Sequence, residues 1–495
     1  MRRRAVTAAC MMAIFMSAVE ATIVATAMPT IVSELGGFHL FSWVFAAYLL
    51  AQAVSTPVYG RLADLYGRKR MFFIGASVFL IGSAACGFTW IFNLWAVSRA
   101  FGWGMAALVV FRIFQGLGAG SLQSMATTIV GDLYPAAERA RVQGWLSGVW
   151  GIAAIAGPAL GAFIVQHLHW SFVFWINLPI GVIAIAILLR YLDEHIRPRP
   201  HQINLMGAAL LMLGIGAILM PAIQGQYLNA ALSATLILIG IAALVLLVIG
   251  ERRASEPILP YKLWRSRIMA GANGGSLAMG MLLMCVVAFL PTYVEAVMGR
   301  SAGYAGTAVA TLSVSWSCGS IISSRIMVLT SYRTTGLIGA LLLVAGTGLL
   351  VALDRDSPFL WLLPAALLVG LGMGFCNQTF LLAVQGSVGW NERGAATSSF
   401  LFLRTIGQAL GAALGGAILN FGVARHVPEA GDVLGGLFNP ARRASLGADT
   451  VARLSDAIAG SLHQVYVIAG ALALLMLIVT MLLPAKLGPA QSSRQ

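Results

Sequence analysis

The sequence predicts an all-α polytopic membrane protein, and three observations carry that prediction. Of its 495 residues 59% are hydrophobic and only 10% are charged, where an ordinary soluble chain carries about 25% charged residues. Apolar runs of roughly 20 residues, each long enough to cross ~30 Å of hydrocarbon as a helix, recur from one end to the other. The 31 Lys and Arg are spread unevenly around those runs.

Hydropathy places fourteen spans, at roughly 5–32, 41–60, 71–91, 103–130, 142–165, 171–192, 203–223, 230–250, 268–293, 305–329, 334–353, 359–386, 395–422 and 461–484. With the N-terminus inside, 22 Lys and Arg fall in inner segments and span ends, seven fall outside, and Arg112 and Arg404 lie within spans. That bias is the positive-inside pattern, and it puts both termini in the cytoplasm. It also accounts for the net charge of +14, which leaves a nucleic-acid partner nothing to explain. "MRRR" before an apolar run imitates a signal peptide, but the run is too long and leads into a second span. All five cysteines fall inside spans, so free thiols are expected. The inner segment 251–267 reads as a linker with an interfacial helix. The outer loop 423–460 has apolar residues at helical spacing, which predicts a short helix at the outer surface.

Of the 17 carboxylates, sixteen sit at one membrane face or the other, and only Glu20 lies near the midplane. Counted from Ala5 it is ~22 Å along the first span. A carboxylate at that depth is costly unless neutralised, paired or wetted, and marks a candidate functional site. It can serve as a proton carrier, or it can be neutralised permanently by a partner such as Arg112.

Enzymatic chemistry is not expected. The seven His are scattered over span ends and loops without a metal-binding arrangement, and no phosphate-binding GxxxxGK[ST] loop occurs. "GLGAG" and "GLGMG" sit inside apolar helices, where small residues serve packing.

The inner loop "GRLADLYGRKR" (60–70) combines Gly60 and Gly67, which permit close packing, with Asp64 and a basic cluster from Arg68 to Arg70. It resembles the signature loop of the major facilitator superfamily. "LVVFRIFQGLGAG" (108–120) is similar to that superfamily's fourth-helix motif, with Arg112 inside the membrane. "GVWGIAAIAGPALGA" (148–162) resembles its fifth-helix antiporter motif through Gly157, Pro158 and Gly161, and departs at Ala153 and Ala162, where glycine is usual. "EATIVATAMPTI" (20–31) and "WSFVFWINLPIG" (170–181) resemble the first- and sixth-helix motifs of the fourteen-helix drug:proton antiporters, with Glu20 where Asp is usual. Residues 370–418 look like the twelfth and thirteenth helices of that group. Two features depart from the family: the second copy of the loop, at 323–336, has no acidic residue, and 89–104 is extra sequence that either caps the outer mouth or is inert.

The resemblance implies two pseudo-symmetric six-helix bundles, at 1–192 and 268–495, with two inserted helices in a linker, 193–267. It implies proton-coupled export by alternating access across a bacterial inner membrane, by a monomer with no cofactor except protons. The substrate would be a lipophilic cation or neutral amphiphile; the alternative is a dedicated exporter of one metabolite, antibiotic or lipid. Glu20 and Arg112 would couple protons. Gly60, Asp64, Gly67 and Arg68 would latch the inner face, while Gly157, Pro158 and Gly161 shape the fifth helix. Tyr48, Gln52, Gln123, Asn177, Asn273, Trp316, Asn377, Gln378 and Gln385 are the polar or aromatic span residues from which a substrate cavity would be drawn. Arg404 reads as a packing residue.

Overall fold

In hydrocarbon, backbone N–H and C=O groups have no water to bond, so an apolar chain satisfies them within itself as helices. The computed structural model describes residues 2–35, 40–93, 103–194, 205–224, 228–253, 266–300, 302–354, 357–426, 447–481 and 483, and among these no strand occurs. The long helices are α1 (Arg2–Leu35), α2 (Phe41–Tyr66), α3 (Arg68–Gly87), α4 (Trp103–Leu133), α5 (Ala136–His167), α6 (Asn177–Tyr191) and α7 (Leu205–Gln224). They continue as α8 (Ala230–Arg253), α9 (Arg267–Val287), α10 (Ala302–Leu329), α11 (Tyr332–Val351), α12 (Phe359–Gly386), α13 (Arg393–His426) and α14 (Ala448–Met481).

Among the described residues, twelve helical stretches are long and apolar enough to cross a membrane. The set does not include α2 and α7, each described only in part, and the expectation of fourteen spans turns on those two. The outer helix expected before the last span is not a separate element: from Ala448 onward it is continuous with that span as one 34-residue helix, because no Gly or Pro punctuates the sequence strongly enough to break it. Most of the extra sequence 89–104, of the linker 251–267 and of the loop 423–446 lies outside the described residues.

Local chemistry sets the joints. Gly67 separates α2 from α3 at φ 100°, a conformation that side-chain-bearing residues rarely adopt. The carboxylate of Glu194 accepts the N–H groups of Arg68 and Lys69, each at 2.9 Å, which satisfies the free end of α3. Lys69 Nζ reaches the carbonyls of Leu189 and Leu192 at the opposite, negative end of α6. The Ser331 hydroxyl caps α11 by accepting the Thr334 N–H.

Two compact units are present. One comprises Met1–Met269 with Leu381–Phe402, and the other comprises Ala270–Phe380 with Leu403–Lys486. In the first, α4 packs on α2 and α3, and α1 packs on α5, α6 and α4. Glycine makes the closest of these approaches. A Cβ at Gly116 or Gly120 would strike α2, and one at Gly118 would strike α3. In the second unit α11 packs on α14.

Candidate functional site

Five helical elements of the first unit converge on Glu20. Helix α1 carries Glu20, and α4 presents Arg112 and Gln115 one turn apart on the same face. Ser83 and Cys86 come from α3, Val44 and Tyr48 from α2, and Asn177 is the first residue of α6. Arg112 is ion-paired with Glu20, its Nη1 donating to Glu20 Oε1, and the two side chains are 1% and 0% exposed. Asn177 Nδ2 donates to the other carboxylate oxygen at 2.7 Å.

Several neighbours of the pair are themselves engaged, while the Tyr48 hydroxyl is buried without a hydrogen-bond partner among the described residues. Arg112 also donates to the Val44 carbonyl at 3.0 Å and to Gln115 Oε1 at 2.8 Å, and its guanidinium lies 4.1 Å from the centre of the Tyr48 ring. Gln115 Nε2 donates to Ser83 Oγ at 3.0 Å; Ser83 in turn donates to the Phe174 carbonyl at 2.8 Å. A pair taken out of water is tolerated only when such bonds replace its hydration. Chemically, the site holds one ionisable carboxylate whose charge is matched by one fixed cation.

A second constellation sits where α2 ends and α3 and α13 begin. Asp64 Oδ1 accepts from Arg68 Nη2 at 2.9 Å and from the Gly394 N–H at 3.0 Å, and Oδ2 accepts from the Ala395 N–H at 2.7 Å. The carboxylate thus sits on the positive N-terminus of α13. Arg68, 2% exposed, bridges Asp64 to Asp132 and donates to the Trp390 carbonyl at 2.7 Å, with its guanidinium 3.8 Å from the Trp390 ring centre. Arg393 closes the set by donating to the other oxygen of Asp132. Asp64 lies past the expected span 41–60. Burial pushes its carboxyl up to about 7, against the opposing pull of Arg68 and the two backbone N–H groups. Gly60 belongs here too, since a Cβ on it would collide with Ser398.

The other residues singled out from the sequence fall in several places. Gly157 and Gly161 pack α5 onto α1, where a Cβ on Gly157 would strike the Thr22 hydroxyl and one on Gly161 would crowd Ile23 and Thr26. Pro158 lies inside α5. Tyr48 and Asn177 belong to the Glu20 site. Gln52 and Gln123 are partly buried on α2 and α4, while Gln385 donates to Thr397 Oγ1 and the Thr127 carbonyl. In the other unit Gln378 donates to Ser324, Asn377 accepts from Arg404, and Asn273 is buried on α9. Trp316 is partly buried on α10.

A polytopic helical chain with a buried Glu–Arg pair and a charged tie at its helix ends has the build of a membrane transporter. The profile of the Major Facilitator Superfamily matches residues 10–412, and the chain belongs to that family. Over 411 residues it is 33% identical to "Multidrug resistance protein 3" of Bacillus subtilis (strain 168), covering 82% of this chain and 78% of that one. It is also 33% identical over 417 residues to "Multidrug transporter protein MdtP" of the same organism, at 82% and 74% coverage. Among solved structures, the proton:xylose symporter XylE superposes with a TM-score of 0.64 over 96% of this chain and 94% of that one, at 13% identity. That likeness is one of fold.

Proposed function

We propose that the protein exports lipophilic amphiphiles across a bacterial cytoplasmic membrane in exchange for protons, by alternating access. The observation that carries this reading is the Glu20–Arg112–Asn177 arrangement. A proton delivered to Glu20 from outside cancels the charge that holds Arg112, leaving the guanidinium with Val44, Gln115 and the Tyr48 ring. Helix α1, seated on α5 through Gly157 and Gly161, is then free to move against α4. Loss of the proton towards the inside restores the pair. One proton crossing ~150 mV supplies about 3.5 kcal/mol, enough for a few hundred-fold accumulation.

The inner tie is the counterpart in the cycle. Opening to the cytoplasm requires Asp64 to leave the N-terminus of α13 and Arg393 to leave Asp132. Both B. subtilis relatives carry multidrug names, which supports a broad substrate range over a single dedicated one.

The test is dye accumulation in proteoliposomes under an imposed pH gradient, comparing wild type with Glu20→Gln and Glu20→Asp. Gradient-driven accumulation in wild type and Glu20→Asp, with none in Glu20→Gln, is the expected result. Equal accumulation in Glu20→Gln overturns the assignment of Glu20 as the carrier.

A further inference from the structure

Two arginines stand at membrane depth, and their surroundings differ. Arg112 is matched by Glu20. Arg404, on α13, lies eleven residues past Arg393, or about 16 Å along the helix, and belongs to the other unit. Among the described residues it makes one hydrogen bond, from Nη1 to Asn377 Oδ1 of α12 at 3.1 Å. Its Nε is buried without an acceptor. Among the described residues no carboxylate pairs with it. The carboxylates described in its unit lie in the turn after α9 (Glu295), after α11 (Asp354) and in the first turns of α14 (Asp449, Asp456).

The approach of α13 to α9 does not rest on this side chain. The contact of α13 with α9 is made by glycine on both helices: a Cβ on Gly280 would strike the Arg404 carbonyl, and Cβ atoms on Gly407 and Gly411 would strike the carbonyls of Leu277 and Met281. The backbones already touch there, so the guanidinium is left over. An arginine with five N–H donors in a fixed fork, one of them used, is matched in geometry to an oxyanion. A cation at this depth is costly until it has a counter-charge.

We propose that Arg404, with Asn377 beside it, is a substrate subsite for the acidic group of an amphiphile, a carboxylate or comparable oxyanion that supplies the missing counter-charge. This rests on the export reading and narrows it, adding amphiphilic acids and zwitterions to the cations and neutral compounds expected from the sequence. Lysine would not substitute fully, because its ammonium lacks the planar fork.

A matched pair of dyes tests the subsite: rhodamine 6G, a cationic ethyl ester, and its free acid, a zwitterion with the same ring system. Binding to the purified full-length protein is read by fluorescence anisotropy with no gradient, so a failure of proton coupling leaves the result untouched. Wild type is expected to bind the acid at least tenfold more tightly than the ester. Arg404→Gln should weaken the acid by tenfold or more and leave the ester unchanged. Arg404→Lys, which keeps the charge if the Gln variant does not fold, should lose part of the preference. Equal affinity of wild type for the two dyes, binding of neither, or equal weakening of both in Arg404→Gln would each overturn the proposal.

Discussion

Arg112 and Glu20 are each tolerable in the first unit only because of the other. Removing either leaves a charge in a site that is 0–1% exposed, and breaking a buried pair in this way costs about 3–5 kcal/mol. Replacing both leaves no charge to compensate. Glu20→Gln and Arg112→Gln are therefore each expected to lower the thermal unfolding midpoint more than the double variant does, while all three lose gradient-driven transport. A double variant less stable than either single would show that the pair is not the unit. The ends of this pair were legible in the sequence, because they are ionisable residues at depth among neutral ones. Of the partners, Tyr48 and Asn177 stood out only as polar or aromatic span residues, and Ser83 and Gln115 not at all. Ser83 and Gln115 are uncharged polar residues of a kind that mostly bond between helices anywhere in a bundle, and their convergence depends on α3, α4 and α6 packing across 94 residues of chain at the most (Ser83 to Asn177).

At the scale of elements, the glycine seat of α1 on α5 makes a graded prediction. A Cβ on Gly157 meets the Thr22 hydroxyl head-on, while one on Gly161 meets neighbours at 3.0 Å, a distance small shifts can relieve. Gly157→Ala should cut transport by tenfold or more, and Gly161→Ala by a few-fold. Thr22→Ala should restore part of the activity of Gly157→Ala, as coupled neighbours do in a double-mutant cycle. An absence of rescue would place the effect elsewhere. The motif spelled out these glycines, but the partner helix became visible only in the fold.

The inner tie predicts a pH dependence. With Asp64 engaged its carboxyl sits at about 7, whereas a solvated Asp ionises near ~3.9. Arg68, Arg393, Asp132 and the α13 N-terminus make up its surroundings. Making the tie thus takes up a proton: the contribution of Asp64 is full below about pH 4 and declines as pH rises through 7. Hydrogen exchange at Gly394 and Ala395, corrected for intrinsic rates, should become less protected between pH 5 and 8. Asp64→Asn should abolish that slope; a slope that persists would assign the titration to another group.

For the whole molecule, the orientation of every loop depends on whether α2 and α7 cross. Each carries a proline inside it, Pro57 in α2 and Pro221 in α7, which removes one helix hydrogen bond. Yet Arg2 to Arg4 open α1, and Arg68 to Arg70 open α3 just past α2. Two basic clusters prefer the same side, and one crossing between them would split them, so the charge pattern demands that α1 and α2 both span. The same reasoning applies to α7 and α8, which pack on each other between the basic stretches around Arg190 and Arg252. If α7 did not cross, α8 alone would carry the chain out, and every later loop would change sides. Alkaline phosphatase fused after Asn229 or Arg300 should therefore be active, and fluorescent protein fused after Arg70, Arg267 or Arg333 should fluoresce. Activity at Asn229 together with fluorescence at Arg267 requires both inserted helices to span. Phosphatase that is inactive at Asn229 but active at Arg267 would mean that α7 stays on one side, and the positive-inside assignment of the second half would fall with it.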